Sequence, residues 1–164
     1  MKDPIREALA GQYGAALKML RQAIERCPDD LWASGKQPRT FWRIAYHAIF
    51  YADLYLRQNV AEFKPWTHNE DDARDLWDGR PETVPYPKAE LLDYIDRLQA
   101  EGPTVIDSLD LETTDPGFHW YKNISKLEHE ILNIRHIQGH VGQLSELLML
   151  HGIDTDWVSR VAPA

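Results

Sequence analysis

The segment from Ser125 to His151 repeats apolar residues at helical spacing without interruption, so the chain contains a long amphipathic helix whose apolar stripe must be covered by partners. Both ends of it are marked. Ser125 and Glu128 form an S-x-x-E capping box, and Gly152 stands where a left-handed C-cap belongs. Advancing about 100° per residue divides this helix into three arcs. Ile134, Ile137, Val141, Leu144 and Leu148 make a core face, and Glu128, Arg135, Gln138, Gly142 and Glu146 make a solvent face. His129, Leu132, His136, His140, Gln143 and Leu147 lie beside the core face, which turns the histidines inward.

The partners are legible upstream. Asp3 and Pro4 read as N-cap and first residue of a helix carrying Leu9, Tyr13, Ala16, Leu17, Leu20 and Ile24, stopped by Pro28. Thr40 caps a second helix reaching about Asn59, whose inner side is Phe41, Ile44, Ala48, Tyr51, Leu54 and Tyr55, with His47 among them. Residues 60–87 break the pattern with four prolines, and their aromatic anchors Phe63, Trp66 and Trp77 favour a segment packed back on the body, as a lid would be. Ala89 to Leu109 forms a third helix that Gly102 and Pro103 should kink or interrupt. Nothing reads as a strand pair. The expected fold is all-α: one domain over residues 1–164, an antiparallel four-helix bundle with a long connection between helices 2 and 3.

Composition narrows the function. At 164 residues and 43% hydrophobic content the chain can bury a sizeable core without disulfides, and Cys27 has no partner for one. A net charge of −8 without a cluster of Lys and Arg argues against a nucleic-acid surface. No apolar run approaches the roughly 20 residues that span a bilayer, so no membrane partner is expected. The opening Met-Lys-Asp-Pro-Ile lacks a signal-peptide core, which makes the cytoplasm the expected location.

His136 and His140 stand one turn apart on the inward arc, where an unpaired buried polar group costs on the order of 1–3 kcal/mol. A shared metal ion removes that cost, since an i, i+4 pair presents both rings to one ion. A third ligand must come from another helix. His47 is the histidine in the middle of a second strongly patterned helix, whereas His68 and His119 fall in loops and His151 at a helix end. Three neutral imidazoles can hold a divalent ion and leave a position open. Gln143, one turn past His140, can hydrogen-bond a ligating ring or a bound water as a supporting residue.

Blander readings stand beside this one. A lone inward histidine is more often a satisfied core residue than a ligand, and His129 reads as a partly exposed first-turn residue. Trp42, Tyr46, Tyr51 and Tyr55 at helical spacing read as core before cavity lining, and Cys27, before Pro28 at a helix end, is not read as a nucleophile. A di-iron carboxylate site needs Glu three residues before a histidine, a c-type haem needs a Cys pair, and a zincin needs Glu directly after the first histidine. None is present. A non-catalytic bundle that binds small molecules or partners, with a structural metal or none, is the alternative to an enzyme.

The stretch Arg135-His136-Ile137-Gln138-Gly139-His140-Val141-Gly142-Gln143-Leu144, with His47 about 90 residues earlier and followed by Tyr51-Ala52-Asp53-Leu54-Tyr55-Leu56, resembles the DinB/YfiT-like superfamily over nearly the whole chain. The resemblance implies a four-helix bundle, commonly a homodimer, with its metal on one histidine of the second helix and two of the last. Those positions are His47, His136 and His140. Gly139 and Val141 replace a histidine and an arginine often found in the family, so any role of those side chains is absent here. The implied chemistry is metal-dependent hydrolysis or thiol-dependent S-transfer or isomerisation on a small-molecule substrate, with a low-molecular-weight thiol as co-substrate. Zinc is the first expectation for the ion, and nickel and iron also suit imidazole ligands. In either chemistry the ion would lower the pKa of a bound water or thiol.

Overall fold

A computed structural model describes residues 3–162. The described chain is all-helical, with five α-helices: α1 (Pro4–Arg26), α2 (Asp29–Trp32), α3 (Phe41–Tyr55), α4 (Lys88–Ser108) and α5 (Lys126–Met149). No strand occurs among the described residues. None of the helices is long and apolar enough to cross a membrane.

The four long helices pack α1 on α4 and α5, and α3 on α4 and α5. Asp3 caps α1 by accepting from the Ile5 amide at 2.9 Å, and Leu9, Tyr13, Ala16, Leu17, Leu20 and Ile24 all point into the core. Pro28, which has no N–H to continue the ladder, ends that helix after Arg26. Every residue of α3 except Tyr51 is buried. The helix stops at Tyr55, short of the expected Asn59, because Asn59 turns its side chain to a new cap. Its Oδ1 accepts from the amides of Ala61 (3.0 Å) and Glu62 (3.2 Å), opening a 3₁₀ turn over Val60–Glu62.

An interruption of the third helix does not occur. α4 runs unbroken through Gly102 and Pro103 to Ser108. Gly102 faces the Tyr13 ring, where a Cβ would lie 3.1 Å from Cε1, so the glycine serves the close approach of α4 to α1. The core face of α5 is as expected, with Ile137, Val141, Leu144 and Leu148 buried, and the capping box is present in both directions. The Gly152 backbone adopts φ +74°, and its amide bonds the Met149 carbonyl at 2.9 Å.

The first turns of α5 differ from expectation. His129 is fully buried rather than partly exposed, stacked on Phe118 at 4.6 Å and edged by Tyr55 and Tyr121. Lys126 is buried beside it, paired with Glu130 at 2.9 Å and donating to the carbonyls of Tyr55 and Arg57 that the end of α3 leaves free. Across α3 and α4 the fully buried Asp53 carboxylate takes Arg97 at 2.9 Å, the Tyr94 hydroxyl at 2.7 Å and Arg57. These ionic contacts fix the register of α3 against its neighbours. Beyond α5, Asp154 to Val161 runs back along α1: Gln22 bonds Asp156, Gln12 bonds Ser159, and the Val161 amide donates to the Gly11 carbonyl at 3.1 Å.

Within residues 60–87 the aromatics behave differently from one another. Trp66 stacks on Tyr94 at 4.7 Å and Phe63 packs edge-on against Phe50, whereas Trp77 is 57% exposed. Arg43 of α3, fully buried, ties this segment down. Its Nε donates to the carbonyls of Ala73 (3.2 Å) and Asp75 (3.1 Å), its Nη1 to that of Pro81 (2.9 Å), and its Nη2 to that of Asp72.

Candidate metal centre

α3 and α5 pack face to face, and the contact brings His47 of α3 against His136 and His140 of α5. Nε2 of His136 lies 3.2 Å from Nε2 of His47 and 3.1 Å from Nε2 of His140, and one ligand atom from each of the three lies within 4.8 Å of the others. Among the described residues no other set of His, Cys, Asp or Glu forms such a group. The residues singled out by sequence therefore converge, and the set could hold a metal ion.

The outer nitrogens decide what the inner ones offer. His47 Nδ1 faces the Arg74 carbonyl at 2.6 Å, and a carbonyl only accepts, so this ring carries its hydrogen on Nδ1 and a lone pair on Nε2. His140 Nδ1 likewise donates to Oε1 of Gln143 at 2.8 Å, which leaves its Nε2 as a lone pair. His136 Nε2 sits between the two. A hydrogen there satisfies one facing lone pair and not the other, whereas a cation satisfies all three at once.

The spacing suits such an ion. Zn–N bonds of about 2.0–2.1 Å at tetrahedral angles separate ligand nitrogens by roughly 3.3–3.4 Å, close to the two observed separations. The protonation state suits it too. Burial first, then the neighbouring His140 and His136 rings, push His47 down to about 3 against the pull of the Arg74 carbonyl. Burial and His140 push His136 down to about 4. Burial also lowers His140, opposed by the Gln143 hydrogen bond. All three are neutral near pH 7, the form in which imidazole binds a metal.

Two cavities flank the cluster, with Trp77 lining both. One of about 570 Å³ reaches His47 and His140 and is bordered by Arg39, Gln143 and Glu146. The other, of about 640 Å³, reaches His47 and His136 and is walled by aromatic residues including Tyr51 and Tyr55. Trp42 and Tyr46 are core, as expected, but Tyr51 and Tyr55 line a cavity. His129 lies two turns before His136 with Tyr55 against both rings, and does not join the cluster. Cys27 is buried with its thiol pushed up to about 12 by burial, and it is no nucleophile.

Helical periodicity does not single out three contributors: the Arg74 carbonyl, Arg43 that positions it, and Asp75, which accepts from the Tyr51 hydroxyl at 3.0 Å. Arg43 carried a signal. A guanidinium inside the apolar run Phe41–Tyr55, one turn before His47, must be buried and must find acceptors outside its own helix.

Comparison of the chain with protein-family models, with curated proteins and with solved structures returns no significant match.

Proposed function

We propose that this chain is a DinB/YfiT-like metal-dependent enzyme, a single-domain antiparallel bundle of α1, α3, α4 and α5 that holds a divalent ion on His47, His136 and His140. The observation that carries this reading is the meeting of three imidazole nitrogens, two with outer hydrogen bonds that leave a lone pair on the inner atom. Zinc is the first candidate, with nickel or iron as alternatives that the same ligands accept.

A bound ion supplies Lewis acidity there, lowering the pKa of a water or thiol placed in its open position. The protein does the rest. His47 and His140 are oriented by the Arg74 carbonyl and by Gln143, so Gln143 supports a ligand rather than acting as one. The Tyr51 hydroxyl, which donates to Asp75, stands at the wall of the cavity beside His136 and His47, where its oxygen can accept from a substrate hydrogen-bond donor. No fourth His, Cys, Asp or Glu joins the cluster among the described residues, which favours a catalytic over a structural ion. The reaction class proposed is hydrolysis or thiol-dependent S-transfer on a small molecule. A homodimer belongs to the same proposal and rests on the resemblance alone.

Elemental analysis tests the reading. Zinc-loaded, desalted protein should carry one equivalent of metal per chain, and the His47→Ala, His136→Ala, His140→Ala triple variant should carry none. Undiminished metal in the triple variant overturns it.

A further inference from the structure

We infer that the cavity on the His136 side of the centre takes a flat, uncharged aromatic group, carried by a donor group that completes the shell of the ion. This deepens the metal reading and rests on it. At about 640 Å³ the cavity falls within the size range of small-molecule sites, and His47 and His136 form part of its wall.

Its lining sets the chemistry. Phe50, Tyr51, Tyr55 and Phe63 supply ring surface inside, and Trp77 and Trp120 stand 57% and 43% exposed on its border. Large aromatic side chains left open to water around one concavity are surface that a planar ligand can cover.

The charges exclude the alternatives. Among the described residues Arg74 and Asp75 are the only charged side chains that line the cavity, and both are already paired. The Arg74 guanidinium lies over the Phe50 ring at 5.2 Å and pairs with Asp71 at 2.9 Å. Asp75 pairs with Arg80 at 2.5 Å and accepts from Tyr51 at 3.0 Å. With the ion occupied by the donor group, a charge carried on the ring itself would lose its water without gaining a counter-ion from the wall. The opposite cavity, bordered by Arg39, Glu146 and Gln143, offers charges of both signs, so the two sides of the centre are chemically unlike.

Calorimetric titration of the zinc-loaded chain with three probes tests this. Benzohydroxamic acid carries a chelating head and a ring, acetohydroxamic acid the same head without the ring, and 4-carboxybenzohydroxamic acid the ring with a charge. The expected order places benzohydroxamic acid about tenfold or more tighter than either of the others, the scale of burying and stacking one ring. Trp77→Ala and Trp120→Ala, both at exposed positions, should each shrink that preference at least about threefold while leaving acetohydroxamic acid unchanged. Equal affinity of the first two probes, tighter binding of the carboxylated ring, or no binding to protein that retains stoichiometric zinc overturns the aromatic subsite and leaves the metal reading standing. Failure to retain zinc overturns the metal reading itself, and the subsite with it.

Discussion

His47 donates from Nδ1 to the backbone carbonyl of Arg74 at 2.6 Å, and this bond leaves Nε2 as the atom that faces His136. The carbonyl belongs to no helix. It is held because Arg43, one turn before His47 on α3, binds the carbonyls of Ala73 and Asp75 on either side of it, and those of Asp72 and Pro81. One buried guanidinium thus fixes both the wall of the site and the orientation of a ligand ring.

Replacing Arg43 with Met should therefore weaken zinc binding by about 10- to 100-fold, the scale of losing an outer partner of a ligating histidine. Stability should fall by about 3 kcal/mol as buried carbonyls lose a charged donor. Arg43→Lys should recover only part of the affinity, since a single ammonium cannot span four carbonyls. Competition against a chromophoric chelator measures this, and an unchanged zinc affinity in Arg43→Met would contradict the role.

Gln143 separates affinity from stability. It is exposed, and its contact with the cluster is the 2.8 Å bond to His140 Nδ1. Gln143→Leu should lower zinc affinity about tenfold while moving the unfolding free energy of the metal-free protein by no more than about 0.5 kcal/mol. Urea unfolding and chelator competition on the same preparation would show whether the two effects part.

The ring environments set a pH dependence. His47 and His136 are held at about 3 and about 4, below the ordinary value of 6.5, so between those limits the unfolded chain binds protons that the folded chain refuses. The metal-free protein is thus fully stabilised above about pH 6.5 and loses stability as pH falls through this window. By about pH 4 the loss from His47 alone is on the order of 3 kcal/mol. His47→Leu should flatten the slope of urea stability between about pH 6.5 and 4, and an equal slope in both proteins would refute the assignment.

Much of this was readable from residue order, and the exceptions share a cause. Helical periodicity placed His47, His136 and His140 on inward faces, and Ser125 with Glu128 and Asp3 with Pro4 marked helix starts that the structure retains. What periodicity does not encode is contact between a helix and an irregular segment. The Arg43 clamp, the Phe118 ring over His129 and the Lys126 cap on the end of α3 all join positions far apart in sequence. Gly102 and Pro103 misled for a related reason. Their local tendency to break a helix is overridden by the fit of Gly102 against Tyr13, a tertiary contact. Hydrophobicity alone reads Trp77 as an anchor, and the structure leaves it on the cavity border.

Asp53 should prove the most sensitive core position away from the centre. Its carboxylate is fully buried between Arg57, Arg97 and the Tyr94 hydroxyl, so Asp53→Ala leaves that hydroxyl without its acceptor and both guanidinium groups with Glu101 alone, and should destabilise by about 2–3 kcal/mol. Thermal and urea unfolding check this. A loss below about 1 kcal/mol would show that the network is solvent-compensated.

The most direct test of the metal centre is a crystal structure of zinc-loaded protein, with the ion located by its anomalous scattering. The prediction is one ion at about 2.0–2.1 Å from Nε2 of His47, His136 and His140, with solvent in the remaining position. An ion placed elsewhere, or one whose fourth position is closed by a protein side chain, would contradict an open three-histidine centre.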